Sequence, residues 1–172
     1  MISFNVLGTP APKGSSRAVM NKWTGRAMII PGGSKVNEAK LKTWDVCVRA
    51  AASIKLGPRD TAVFVLKPLH VELHFRMQRP GGHYGKGKNA GRLSPSAPIA
   101  PTSKPDIDKI TRATLDSMTG LAFDDDSRIV SLLVTKMYAA PGQEGAFIVV
   151  REYDPAIIVT YTNDASLVED DA

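Results

Sequence analysis

The sequence predicts a single α+β (α/β) domain, a mixed β-sheet with two main helices packed on it. Three observations carry that prediction. Residues 69–77, LHVELHFRM, alternate apolar and polar side chains with the two-residue period of a half-buried strand. Two stretches, 34–56 and 106–119, repeat their apolar residues at spacings of three and four, the period of a helix with one buried face. The other apolar runs, at 2–7, 128–138 and 145–153, are short and bounded by Gly, Pro or Asp, so the elements follow in the order β, α, β, α, β, β. With 172 residues the chain can bury one core of ordinary size. Residues 1–163 are read as that domain, and 164–172 as an acidic tail expected to be disordered.

The elements can be justified in turn. ISFNVL at 2–7 reads as a short strand, followed by the Gly-, Pro- and Lys-rich loop 8–33, which holds Lys13, Arg17, Lys22 and Arg26 together with Trp23. Ser34 is an expected N-cap for the first helix. Leu41, Trp44, Val48 and Ala51 line one face of that helix, and Gly57-Pro58 stops it. Cys47, the only cysteine, sits among these residues and reads as a small core side chain; no internal disulfide and no cysteine-based zinc site is possible. In the 69–77 strand His70 and His74 share a face and can in principle ligate a metal, but no third ligand stands near them in the sequence. Residues 78–104 form a long irregular segment dense in Gly, Pro and Ser, a length that inside a domain tends to be functional or disordered. It carries Arg79, Lys86, Lys88, Arg92 and Lys104 with Tyr84 among them, a mixture suited to gripping a phosphate backbone. Pro105 fits the start of the second helix, whose apolar face is Ile107, Ile110, Thr114, Leu115 and Met118. RIVSLLVTKMY and GAFIVVREY then read as paired strands joined by a turn at Pro141-Gly142, and IIVTY at 157–161 as a short additional strand.

Charge narrows the class of partner. The formal net charge is +5, but the last nine residues hold four acids and no Lys or Arg, which leaves the rest of the chain at +9. A basic body suits a polyanion, and nucleic acid is the commonest one. No apolar run approaches the roughly 20 residues of a membrane helix, and the N-terminus lacks the pattern of a signal peptide. A cytoplasmic protein without a membrane partner is therefore expected.

The chemistry lies in five acids in two tight groups, Asp106 and Asp108, then Asp124, Asp125 and Asp126, flanking one helix. Such crowding is electrostatically costly without a cation, because like charges raise one another's pKa. Oxygen donors of this kind suit hard ions such as Mg²⁺ or Mn²⁺. Those ions bind a phosphate, acidify a water and offset charge on a departing oxygen, as phosphodiester hydrolysis requires. Residues two apart point about 200° from each other round a helix, so Asp106 and Asp108 converge only if Asp106 is extended ahead of the helix proper. Arg112, four residues after Asp108, shares its face and can pair with it or touch a phosphate. The same residues also admit a plainer account, in which Asp106 is a first-turn acid and Asp124–Ser127 a turn or cap.

Residues 104–138, KPDIDKITRATLDSMTGLAFDDDSRIVSLLVTKMY, resemble the RusA family of Holliday-junction resolvases, common in phages and prophages. The resemblance rests on Asp106-Ile107-Asp108 opening a helix, Arg112 one turn on, Leu115-Asp116 near its end, and Asp125-Asp126-Ser127-Arg128-Ile129-Val130 after it. The segment HYGKGKNAGRLSPSAP is similar to actinobacterial-phage members. The resemblance implies a RusA-like homodimer that binds four-way junctions and nicks two strands symmetrically in DNA recombination and repair, with Mg²⁺ as cofactor and Mn²⁺ as a substitute. It maps the family's metal-binding acids onto Asp106, Asp108 and Asp126 with Asp125 as neighbour, and its functional basic residue onto Arg112, where the family usually has lysine. Lys109 stands where the family usually has asparagine. Lys13, Arg17, Lys22, Arg26, Lys86, Lys88, Arg92, Lys104 and Lys109 are the candidate DNA contacts. Three alternatives remain open at this level: a branched- or single-stranded-DNA-binding protein that does not cut, a nuclease directed at flaps or single strands, and a plain interaction module with an incidental acidic patch.

Overall fold

The chain is described by a computed structural model covering residues 1–14, 16–31, 34–58 and 60–156. The short strand expected at 157–161 and the acidic tail at 164–172 lie outside the described residues. The alternation at 69–77 sets the architecture. Its strand, β4 (Leu69–Met77), buries Leu69, Val71, Leu73, Phe75 and Met77 against the helices and turns His70, Glu72, His74 and Arg76 to the opposite face. We number the others β1 (Ile2–Leu7), β2 (Ser16–Met20), β3 (Ala27–Pro31), β5 (Ile129–Tyr138) and β6 (Gly145–Glu152), with helices α1 (Lys35–Leu56) and α2 (Ile107–Met118).

The main sheet has the order β1-β6-β4-β5, with β1/β6 and β6/β4 antiparallel and β4/β5 parallel, so it is a mixed sheet in an α+β domain. This corrects the expected pairing of β5 with β6. β6 inserts between β1 and β4, and β5 pairs on its other side with β4 alone. The reason lies in burial. β6 buries Ala146, Ile148, Val149 and Val150, as a central strand does on both faces, whereas β5 leaves Val130, Leu132, Leu133 and Met137 exposed, as an edge strand does. Gly145 is required at the start of β6: its φ is +149°, and a Cβ there would meet the Val6 carbonyl at 1.8 Å. A second correction concerns residues 8–33. They are not all loop, because β2 and β3 form a separate two-stranded antiparallel hairpin.

α1 starts as expected, with the Ser34 side chain accepting from Asn37 N, and ends at Gly57 with φ +71°. Trp44, Val48 and Ala52 are its buried residues, with Leu41, Cys47 and Ala51 partly buried beside them. α2 buries Ile110, Ala113, Thr114 and Met118. Trp44 is 1% exposed and donates its Nε1 hydrogen to Thr114 Oγ1 at 3.0 Å, which locks α1 to α2. A buried hydrogen bond of this kind contributes about 1 kcal/mol, and more is lost when only one partner is removed. The face of α2 that carries Ile107 and Leu115 was expected to be core throughout. Instead Ile107 is exposed and Leu115 half-buried, because both border an open groove rather than the sheet.

On the sheet face away from the core, Glu72 collects both histidines and Arg151. His70 Nε2 lies 3.2 Å and Arg151 Nη2 2.8 Å from its Oε1, and His74 Nε2 lies 3.5 Å from its Oε2. Their other ring nitrogens bond Ser131 and Thr135 of β5. The two histidines thus tie β4, β5 and β6 together. Residues 78–104 run as successive short turns, with 3₁₀ turns at Gly81–His83 and Gly87–Asn89 and isolated bridges Tyr84↔Leu93 and Gly85↔Ala90. Arg79 fastens this segment to the sheet, bonding Pro98 O at 2.9 Å and lying 3.9 Å over the Tyr138 ring.

Candidate active site

The crossover from β4 through α2 to β5 places the acids. Asp106 is the N-cap of α2 and is extended, with φ −66° and ψ 140°, as the convergence argument demanded. Lys136 on β5 sets this entrance, donating its Nζ to the carbonyls of Ser103 and Pro105 at 2.9 and 3.0 Å. Sequence reasoning passed over Lys136. The signal was a lone charge in register with Leu132 and Val134, on the strand face that the β4 pairing turns toward α2.

Asp108, Arg112 and Asp126 converge on one groove of about 380 Å³ between α2 and β5, whose walls are completed by Ile107, Thr111, Leu115, Leu132 and Val134. Asp108 and Arg112 reach it from α2, one turn apart. Asp126 reaches it from the 3₁₀ turn Asp126–Arg128 that leads into β5. The aspartate triplet before β5 is divided by role. Asp124 accepts from Leu66 N and Arg128 Nε, which holds the 60–68 segment against this turn. Asp125 caps the turn, accepting from Ser127 N at 2.8 Å, and the Ser127 hydrogen bonds hold its carboxyl below the usual aspartate range. Asp126 lines the groove beside Asp125.

Asp106 goes elsewhere. It borders a second groove, of about 370 Å³, with Lys40, Lys104, Lys109, Asn37 and residues 9–12. Its Oδ2 accepts from Lys109 Nζ at 2.7 Å. That bond, assisted by the charges of Lys109, Lys104 and Lys136, holds the Asp106 carboxyl below its ordinary value, and Asp106 in turn raises Lys109. The acids therefore divide between two grooves on either side of the start of α2. Among the described residues no three His, Cys, Asp or Glu side chains gather closely enough to hold a metal ion. The pair Asp108 and Asp126 still fits a hard cation, since Mg²⁺ usually takes one or two carboxylates and completes its shell with water and substrate phosphate.

The expected DNA contacts are also sorted. Lys13 is ion-paired with Asp116, and its N–H donates to Lys109 O, so it pins the approach to β2 onto α2. Lys109 is engaged by Asp106. Lys22, Arg26, Lys86, Lys88, Arg92 and Lys104 are exposed, and no ion pair engages them among the described residues. Arg17 lies in β2, but its side chain is outside the described residues. Lys40, on the second turn of α1 and lining the Asp106 groove, is a further cation that sequence reasoning missed. The helical period alone placed it on an exposed face, with nothing to show that the face borders α2.

No helix among the described residues is long and apolar enough to cross a membrane. The family model of endodeoxyribonuclease RusA matches residues 10–150, a span that includes all of the first groove and all of the second but Thr9. The chain is 39% identical over 144 residues, 80% of its own length and 88% of the relative's, to a Bacillus subtilis (strain 168) protein called uncharacterized protein YqaN. The matched span runs through α1, α2 and the crossover that carries Asp106, Asp108, Arg112 and Asp126, and on this evidence the chain belongs to the RusA family of endodeoxyribonucleases.

Proposed function

We propose that the protein is a divalent-metal-dependent endonuclease that resolves four-way DNA junctions, acting as a homodimer that nicks two strands symmetrically. The observation that carries this reading is the convergence of Asp108, Asp126 and Arg112 on one groove in a chain of this family. Asp108 and Asp126 would hold Mg²⁺, or Mn²⁺ in its place, with Asp125 adjoining and Asp106 at the neighbouring groove. When bound, the cation supplies charge to grip the scissile phosphate and to acidify the attacking water.

The protein's own residues supply the rest. The planar guanidinium fork of Arg112 matches two phosphate oxygens, so it clamps the phosphate and offsets the negative charge that grows there during attack. Ile107, Leu115, Leu132 and Val134 give the groove one apolar wall beside Arg112. Lys40, Lys104 and Lys109 bring positive charge to the Asp106 groove, where the strand can continue past the start of α2. The Asp106–Lys109 ion pair lends some weight to a second reading, a DNA-binding protein that does not cut, because it occupies one of the expected metal-binding acids.

One set of variants separates the two. Under the nuclease reading, Asp108→Asn and Asp126→Asn each lower cleavage of a synthetic junction by at least about 100-fold, a single catalytic group being worth that much, while junction affinity holds within about threefold. Cleavage by Asp108→Asn at near wild-type rate would sink the assignment of that residue. Tight binding with no cleavage by the unaltered protein in Mg²⁺ or Mn²⁺ would establish the second reading.

A further inference from the structure

None of the described side chains of the β2–β3 hairpin belongs to the core. Among the described residues its strands pair only with each other, and its turn exposes one of the two tryptophans to solvent. Trp23 at the tip is 95% exposed, although burying an indole is worth more than burying almost any other side chain. The turn beneath it is ordered by four hydrogen bonds. Asn21 Oδ1 accepts from Trp23 N at 2.8 Å and Thr24 N at 3.2 Å, Gly25 N donates to Asn21 O, and Asn21 N donates to Arg26 O. Gly25 takes the left-handed conformation, φ +64°, that closes the turn. An aromatic ring raised on a preformed turn loses little entropy when it makes a contact.

Charge identifies the contact. The first acid in the chain is Glu38, so residues 1–37 carry Lys13, Arg17, Lys22, Arg26 and Lys35 with no carboxylate. Lys22 and Arg26 flank the Trp23 turn and are exposed. A one-sided field of cations suits a polyanion, and one with π-faces matches both the cations and the indole. Position agrees. Residues 9–12 at the foot of the arm, and Asn37 and Lys40 just after it, line the groove that holds Asp106. Five residues of strand carry the tip roughly 17 Å from that foot.

We propose that the β2–β3 hairpin is a stacking wedge: Trp23 lays its indole on an unpaired or unstacked base at the branch point of the DNA, and Lys22 and Arg26 hold the flanking phosphates. The inference rests on the DNA reading above and extends it. Arg112 and the aspartates act on the phosphate that is cut, while Trp23 selects branched DNA over continuous duplex.

Trp23 and Trp44 are the only tryptophans, and Trp44 is buried, so the fraction of emission that acrylamide quenches reports on Trp23. The test titrates the full-length protein, in Ca²⁺, with a synthetic four-way junction and with a linear duplex of the same sequence, following emission and its quenching by acrylamide. Cleavage of the same junction is measured in Mg²⁺. The junction is expected to quench Trp23 and shield it from acrylamide, and the duplex to do so much less. Trp23→Ala is expected to weaken junction binding about 5- to 150-fold, the range for loss of one base-stacking contact, and duplex binding by less than about twofold. Trp23→Tyr should recover most of the loss, and neither variant should alter the melting temperature. If the unaltered protein cuts the junction but Trp23→Ala binds and cuts equally well, the wedge is refuted and the nuclease reading stands. Equal loss on junction and duplex refutes the selective role. An emission change that follows protein concentration without DNA assigns the arm to self-association and refutes the proposal. If the unaltered protein neither binds nor cuts branched DNA, the DNA reading fails and the wedge with it.

Discussion

Lys22, Arg26, Lys86, Lys88, Arg92 and Lys104 are exposed and free of ion pairs among the described residues, whereas Lys13 and Lys109 are held by Asp116 and Asp106. This division sets how DNA binding should respond to salt. Each phosphate neutralised by a free cation releases condensed counterions, and the slope of log K against log salt is about −0.9 per contact. Six free cations therefore contribute a slope of about −5 for each protomer bound, and a loss of roughly 10³ in affinity per protomer between about 50 and about 200 mM salt. Substituting one free cation, as in Lys86→Gln, should make the slope shallower by about 1 per protomer, whereas Lys13→Gln, which removes a charge already compensated, should leave it nearly unchanged. Fluorescence anisotropy of a labelled junction at five or six salt concentrations, with Ca²⁺ in place of Mg²⁺, reads the slope directly. A wild-type slope shallower than about −2, or equal flattening by Lys13→Gln and Lys86→Gln, would refute the sorting of the cations.

Three further outcomes follow from the geometry. Thr114→Val leaves the buried Trp44 Nε1 hydrogen without an acceptor; a loss of about 1–3 kcal/mol is expected, seen as a fall in Tm on the order of 2–10 °C. Lys109→Met removes the hydrogen bond that depresses Asp106, so the Asp106 titration followed by NMR should move upward toward its ordinary value of 3.8. Because the folded pKa of Asp106 is the depressed one, the ion pair is fully present above the unfolded value and is lost only as pH falls through the folded one, so neutral-pH activity should not vary with it. Arg112→Lys keeps the charge but loses the two-point fork, and should cut more slowly while binding the junction within about twofold; equal cleavage rates would reduce Arg112 to a simple point charge.

Most of the main elements were legible because each carries its own period. The alternation of β4, the three-and-four spacing of α1 from Ser34, and the Pro105–Gly120 limits of α2 are local signals, and the structure has all three. Sheet order is not a local signal. The Pro141-Gly142 turn suggested that β5 and β6 pair, yet β6 enters between β1 and β4 because its apolar residues fill both faces of a central strand. The β2–β3 hairpin was lost in a Gly- and Pro-rich run, where no alternation of apolar and polar residues marks either strand. At the site, the shared face of Asp108 and Arg112 was readable from spacing, whereas an extended Asp106 was only a condition for its convergence with Asp108. The turning of Asp106 toward Lys109, and the division of the Asp124–Asp126 triplet among holding a segment, capping a turn and facing the groove, depend on contacts between distant parts of the chain.

The central claim is that the Asp108–Asp126–Arg112 groove cuts branched DNA with a divalent cation. The most direct test is incubation of the protein with an end-labelled synthetic four-way junction in Mg²⁺ and, in parallel, in EDTA, with the products resolved on a denaturing gel. Paired nicks at symmetric positions on opposing strands, present in Mg²⁺ and absent in EDTA, are the predicted result. Intact junction in Mg²⁺ and in Mn²⁺, under conditions where the protein binds it, would contradict the claim.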